Sequence, residues 1–267
     1  MPRRSRSLRR SAVYVIVFLG QDTSYIAQSI DRRVLVNLVR RMKSTVQHLF
    51  KKFGYQIVRR PEFRSPAIHC AWLTHLLYLQ DVYNLIENVE GDIVECGVGY
   101  GNSLFKLCYL AYYEGRGRKV YGFDSFKGFP EPSSEDRSPR NPQKGQWNVS
   151  TANGIYRLLA DPRNFKQEFV RKNVILIEGF FEESLGKYDG KSVAFLHLDV
   201  DLYRSYKVTL EHFWPLVAEG GAVLLDEYKN AQVKYPGASK AIDNFFGDRA
   251  KQIQYHERAD RYYVIKQ

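Results

Sequence analysis

Asp92-Ile93-Val94-Glu95-Cys96-Gly97-Val98-Gly99-Tyr100-Gly101-Asn102-Ser103 is the stretch that decides how this chain is read. The apolar pair Ile93-Val94 runs into Glu95, glycines follow at 97, 99 and 101, and a helical pattern starts at Ser103. The order is strand, tight turn, helix start. Glycine has no Cβ, tolerates positive φ and lets backbone come close to a ligand. The first turn of a helix offers unpaired N–H groups. Glu95, at the strand end, is an acceptor for a ligand's amines or hydroxyls. The turn therefore suits a cationic or hydroxyl-rich ligand end better than a bare phosphate.

Outward from this turn, strands and helices alternate. Apolar runs predict strands at 92–98, 119–124, 174–178, 192–199 and 222–226. Helical spacing predicts helices at 102–114, 152–170, 203–216 and 237–247, and a long amphipathic helix from His69 to Val89 that ends at Gly91. Such alternation gives a mostly parallel sheet covered on both faces. Gly220-Gly221 punctuates the approach to the fifth strand. The segments 252–257 and 261–266 read as a closing hairpin on the sheet edge. The Pro-rich stretch 130–150 is a candidate lid, because long loops in compact domains are usually functional. His69 and His75 read as ordinary helix residues.

The chain has 267 residues and 44% apolar content, enough for one α/β domain with an extension. Its net charge of +11 is uneven. Residues 1–60 hold 14 of the 40 basic and 2 of the 29 acidic residues, which leaves 26 basic against 27 acidic in 61–267. We read 1–60 as a basic, partly helical extension and 61–267 as the functional domain, with Pro61 and Pro66 marking the linker. The near-neutral domain lacks the basic groove that nucleic-acid binding needs. Residues 24–53 carry Ile30, Val34, Leu38, Met42, Val46 and Leu49 at helical spacing on a basic background. This is an arm suited to packing on a second subunit, or to weak contact with a membrane surface. The Arg-rich residues 1–10 and the apolar run Ala12–Leu19 resemble the start of a secretory signal. The run is too short to span a bilayer, and no small-x-small cleavage site follows it, so a disordered leader or a mis-set start codon fits better. Three scattered cysteines, Cys70, Cys96 and Cys108, predict a reducing, cytoplasmic setting.

In open parallel sheets, ligands bind beyond the carboxyl ends of the strands. There the strands deliver Glu95; Asp124-Ser125; Glu178-Gly179; His197 to Asp201; and Asp226-Glu227. Asp124 follows the glycine turn by about 20–30 residues, where an acidic residue reaches ribose hydroxyls. A nicotinamide-dependent oxidoreductase shares that signal, but Glu-x-Gly-x-Gly-x-Gly with Glu95 in the turn favours S-adenosylmethionine. Glu95, Gly97, Gly99, Ser103, Asp124, Ser125 and Gly179 are the candidate cofactor residues. Asp199, Asp226 and Glu227 form a second constellation, whose like charges a divalent cation would reconcile; hard oxygen ligands suit Mg²⁺. Asp201 is the candidate general base, and His197 its rival, on Asp199's face if the strand alternates that far.

Four segments together resemble the macrocin O-methyltransferase (TylF/MycF) family: Gly91–Val98, Gly122–Pro130, Leu198–Ser205 and Gly220–Tyr228. The resemblance runs in order from about 69 to 247 and leaves out the basic leader. It implies a Rossmann-like class I methyltransferase fold with a mostly parallel seven-stranded sheet, S-adenosylmethionine, Mg²⁺ dependence, and methylation of a sugar hydroxyl on a small molecule or glycan. It also implies Asp199, Asp226 and Glu227 as metal ligands and Asp201 as base. Two features depart from the family. Glu227 stands where Asp is typical, and the 130–150 segment has no His although some members use one there. A non-catalytic protein keeping this fold is the remaining alternative.

Overall fold

The computed structural model describes residues 69–229, 231 and 233–267. The extension, the helix expected within 24–53 and the linker prolines lie outside the described residues.

Seven strands form one sheet: β1 Asp92–Cys96, β2 Val120–Asp124, β3 Val174–Glu178, β4 Val193–Leu198, β5 Val217–Leu225, β6 Gln254–His256 and β7 Arg261–Ile265. Their spatial order is β3-β2-β1-β4-β5-β7-β6. Strands β1 to β5 pair in parallel, and β7 runs antiparallel to both β5 and β6. The helices are α1 Cys70–Asn84, α2 Asn102–Glu114, α3 Ala152–Leu159, α4 Gln167–Asn173, α5 Phe181–Ser184, α6 Tyr203–Phe213 and α7 Pro236–Phe246. The order of β1 to β5 reverses direction beside β1, and the glycine turn follows β1.

The apolar runs are continuous because both faces of the sheet are buried. Val94, Leu196, Leu198, Val223 and Leu225 join one core with Tyr206 and Leu210 of α6 and Ile242 of α7. Ile93, Phe195, Ala222 and Leu224 join a second core with Leu79 of α1 and Leu104 and Leu107 of α2. Successive side chains take opposite faces, as strand geometry requires.

Three departures from the sequence reading stand out beyond shifts of a few residues at element ends. The helix expected over 152–170 is two helices, α3 and α4. Pro162 disfavours helix at Asp161, whose carboxylate instead accepts the Arg163 N–H at 3.0 Å. The long first helix stops at Asn84 and reaches β1 through turns. Strand β5 starts at Val217, five residues early, and contains Gly220-Gly221. It absorbs them at an irregularity: the register to β4 steps from Val193↔Val217 to Phe195↔Ala222. Gly220 there has φ +78°.

The 130–150 segment is tied down at several points. The Phe129 N–H donates to the Gln146 carbonyl at 2.7 Å, and the Gly145 N–H to the Phe129 carbonyl at 2.9 Å. Gly128 lies against this junction, where a Cβ would strike the Gln146 carbonyl. Asp136, buried, accepts the Tyr203 N–H at 2.8 Å and so caps α6. Ser138 donates to the Lys234 carbonyl, and Ser150 to that of Gly99. The segment is a fixed roof over the strand ends.

Candidate active site

A cavity of about 890 Å³ opens at the carboxyl ends of β1 to β5. Gly97, Gly99, Ser103, Asp124, Ser125 and Gly179 lie on its wall, as do Asp199, Asp201, Asp226 and Glu227. Pro130, Arg140 and Trp147 of the roof complete it on one side.

The turn after β1 is shaped by close approach. Gly97 has φ +88°, and a Cβ there would collide with the Asp199 carbonyl at the end of β4. Gly101, at φ +79°, caps α2. Asp124 fixes this turn from β2: one carboxylate oxygen accepts the Val98 and Gly99 N–H groups, each at 2.9 Å, and the other accepts Phe126 N–H at 2.7 Å. A carboxylate offers about four acceptor positions. Three are taken, which leaves one acceptor position on a residue that lines the cavity.

Glu95 and His197 sit differently from their neighbours. Both are fully buried and off the cavity wall. The register pairs them across β1 and β4, and His197 Nδ1 donates to Glu95 Oε1 at 2.9 Å. Burial acts to lower the His197 pKa, but its bond to Glu95 and the charge of that carboxylate outweigh burial and raise it. His197 and Asp199 do not share a face of the cavity, because β4 stops at Leu198 and the alternation does not continue. Glu95 Oε2 and His197 Nε2 are buried without hydrogen-bond partners.

The acidic wall is crowded. One oxygen from each of Asp199, Asp226 and Glu227 lies within 4.8 Å of the others. Burial, with the charge of Asp226, pushes the Asp199 carboxyl up to about 7. Burial, then Asp199, Asp201 and Asp226, push Glu227 well above its usual range, although the Tyr206 hydroxyl donates to it at 2.6 Å. Asp226 alone is held below the usual range: burial acts against this, and Arg261, whose Nε donates at 2.8 Å, outweighs it. These carboxylates cannot all ionise side by side, and they are hard oxygen donors, so the set fits a divalent cation. A second group, His75, His197 and Asp226, is equally compact. It is a poor metal site. Lys106 Nζ lies 3.0 Å from His75 Nδ1, so Nδ1 accepts and the proton of this neutral ring is on Nε2, which leaves no lone pair there for a metal.

Asp201 occupies a strained turn. It has φ +58°, and the Leu202 N–H returns to the Val200 carbonyl across it at 2.5 Å. Left-handed backbone at a non-glycine residue costs on the order of 1–3 kcal/mol and concentrates at functional sites. Burial, then Asp199 and Asp226, raise its pKa well above the usual range, while Tyr235 and Arg140 oppose them.

Several wall residues were not singled out from sequence: Trp72, Lys106, Arg140, Tyr235 and Arg261, with His75 read as an ordinary helix residue. Lys106 had a usable signal. It lies three residues after Ser103, on the inward face of an otherwise apolar helix.

A family model, Macrocin-O-methyltransferase (TylF), matches residues 28–255. This chain belongs to the TylF family. The match begins at residue 28, so the relationship reaches into the basic extension that the motifs alone had left out. Among characterised relatives, the chain is 27% identical over 150 residues to the mycinamicin III 3''-O-methyltransferase of Micromonospora griseorubida, covering 54% of this chain and 58% of that one. It is 31% identical over 148 residues to the 8-demethyl-8-(2,3-dimethoxy-alpha-L-rhamnosyl)-tetracenomycin-C 4'-O-methyltransferase of Streptomyces olivaceus, covering 54% and 55%. The demethyldecarbamoylnovobiocin O-methyltransferase of Streptomyces niveus is 28% identical over 162 residues, covering 59% of each. The matched region thus spans under two thirds of each relative's length. In fold, the chain is similar to the calicheamicin methyltransferase CalS11, with TM-score 0.64 and 21% identity over 94% of this chain and 99% of the other. The O-methyltransferase NovP gives TM-score 0.59 and 23% identity over 73% and 80%. The class I methyltransferase fold follows from these likenesses. Among the described residues, no helix is long and apolar enough to cross a membrane.

Proposed function

We propose that this protein is an S-adenosylmethionine-dependent O-methyltransferase that acts on a sugar hydroxyl of a glycosylated small molecule or glycan. The observation that carries this reading is one cavity that joins the glycine turn and Asp124 to the acidic wall, in a chain of the TylF family. The three relatives named above are O-methyltransferases, and the name of one of them specifies a rhamnosyl group. A hydride-transfer enzyme would use the turn and Asp124 but leaves the acidic wall without a purpose.

The residues take distinct tasks. The glycine turn lets the donor approach the backbone, and Asp124 receives a ribose hydroxyl. Asp199, Asp226 and Glu227 are the groups that would hold Mg²⁺, which when bound supplies a site for the acceptor oxygen and lowers its pKa. Asp201, on the wall where His197 is not, removes the hydroxyl proton as that oxygen attacks the methyl group. The roof holds acceptor and donor in line, and alignment of this kind supplies much of a methyl transfer's rate.

The test is mass spectrometry of a panel of glycosides incubated with S-adenosylmethionine and the protein. A single added methyl on a sugar oxygen, lost on treatment with EDTA and restored by Mg²⁺, is the expected result. Full activity in EDTA would remove the metal from this reading. Methylation confined to nitrogen or to nucleic acid would overturn it.

A further inference from the structure

Lys106 is a charged side chain in an apolar place. Its residue is 2% exposed, yet it lies on the cavity wall. The ammonium donates to His75 Nδ1 at 3.0 Å and stands over the face of Trp72, 4.8 Å from its centre. Among the described residues no carboxylate lies within ion-pair distance of it, although Glu95 and Asp226 act on it from further away. A buried ammonium without a close counter-ion is costly unless a ligand supplies one. Its contact with His75 sets a second donor: with Nδ1 accepting, His75 Nε2 carries hydrogen, and that atom is buried without a partner. Ser103, buried and on the same wall, lies one turn before Lys106 on the same face of α2.

The position of these donors across the sheet matters. Asp124 is on β2, to one side of β1. His75 and Lys106 sit toward the other side, where the His75 ring lies 6.0 Å from that of His197 on β4. A donor whose ribose meets Asp124 and whose body crosses the glycine turn extends its amino-acid end toward β4. That end carries a carboxylate, and the wall there offers an ammonium, an imidazole N–H and a hydroxyl.

We infer that Lys106 and His75, with Ser103, form the subsite that binds the carboxylate of the methyl donor. This rests on reading the cavity as a methyl-donor site. The donors below α1 and α2 thus take the donor's carboxylate, and Asp226, which has an oxygen within 4.8 Å of a His75 ring nitrogen, marks where this subsite meets the acidic wall.

Calorimetry on the full-length protein tests this with two ligands, S-adenosylhomocysteine and its analogue lacking only the carboxylate. The wild-type protein should prefer S-adenosylhomocysteine by about 10- to 100-fold, the range expected for hydrogen bonds to a charged group. Lys106→Met should bind S-adenosylhomocysteine that much more weakly, bind the analogue as well as wild type does, and so lose the preference. His75→Gln, which keeps a donor and an acceptor, should retain most of the preference; His75→Phe should not. A wild-type protein that binds both ligands equally overturns the subsite and leaves the donor reading intact. Lys106→Met weakening both ligands alike shows a purely structural lysine and overturns it too, as does a variant with undiminished preference. If wild type binds neither ligand, the donor reading itself fails.

Discussion

The two walls of the cavity are held in opposite ways. On the β1–β2 side, the wall is backbone. Positive-φ glycines shape it, and Asp124 is held by three N–H groups within 2.9 Å. On the β4–β5 side, the wall is charge. Among the described residues, four carboxylates share it with one close cation, Arg261, and three of them have pKa values driven upward by burial and by one another. The first wall is at rest without a ligand. The second is not, and a cation together with an acceptor oxygen would relieve it. A wall satisfied in advance positions its ligand, whereas a frustrated wall stores interaction energy for a bound partner.

Breaking the charged wall should have the largest effect. Asp226→Ala removes one candidate cation ligand and frees Arg261. We expect turnover to fall by about 10³-fold or more, with S-adenosylhomocysteine affinity changed by less than about tenfold, as steady-state kinetics and calorimetry on the same preparation would show. Equal loss of both would mean that the two walls are not separable. Breaking the backbone wall should act on binding and stability together. Gly97→Ala puts a Cβ into the Asp199 carbonyl at φ +88°, and we expect a loss of about 2–4 kcal/mol in unfolding free energy with donor binding no longer measurable. Near-normal chemical denaturation would show that the turn has room that its geometry denies. Asp124→Asn sharpens the contrast at smaller cost. One oxygen remains to accept from the turn, but the amide presents N–H groups where acceptors are needed. Donor KM should rise about 10- to 100-fold with kcat nearly unchanged, and an equal fall in kcat would place Asp124 in the chemistry.

The two walls also differ in how legible they were. The glycine turn was readable because its conformations exclude other residues, and Asp124 because its spacing follows from one βαβ unit. The acidic residues were readable as strand ends, since parallel topology sends every strand end to one rim. Their partners were not. Arg261 reaches Asp226 only through the antiparallel pairing of β5 with β7, in register Leu225↔Tyr262, and no local pattern gives the register of a closing hairpin. The Glu95–His197 bond likewise depends on the β1–β4 register. Glu95, read as a direct ligand group, lies beneath the wall for that reason. The break at Asp161-Pro162 was written in the sequence and was overridden by the apolar spacing around it. Lys106 has meaning only once α1 brings His75 and Trp72 against it.

Lys106 also connects the two walls to stability, and here the expected effect is smallest. Burial lowers its pKa to about 8, against the opposing pull of Glu95 and Asp226. Below that pH the ammonium is charged in both the folded and unfolded chain, and the folded state bears the cost of burying it. Lys106→Met removes that cost, so at pH 7 the ligand-free variant should melt higher than wild type, by about 2–4 °C for each kcal/mol relieved. As pH rises through about 8, the folded wild type releases the proton while the unfolded chain keeps it up to the ordinary value of 10.5. Wild-type stability therefore gains on the variant over this range, and the difference in Tm should shrink toward pH 10. Thermal melts at pH 7 and pH 9.5, without ligand, measure this. A variant that melts lower at both values would show that the bond to His75 and the contact with Trp72 outweigh burial. The lysine would then belong with the resting wall, as a packed part of the scaffold, and would no longer count as a charge held ready for the donor.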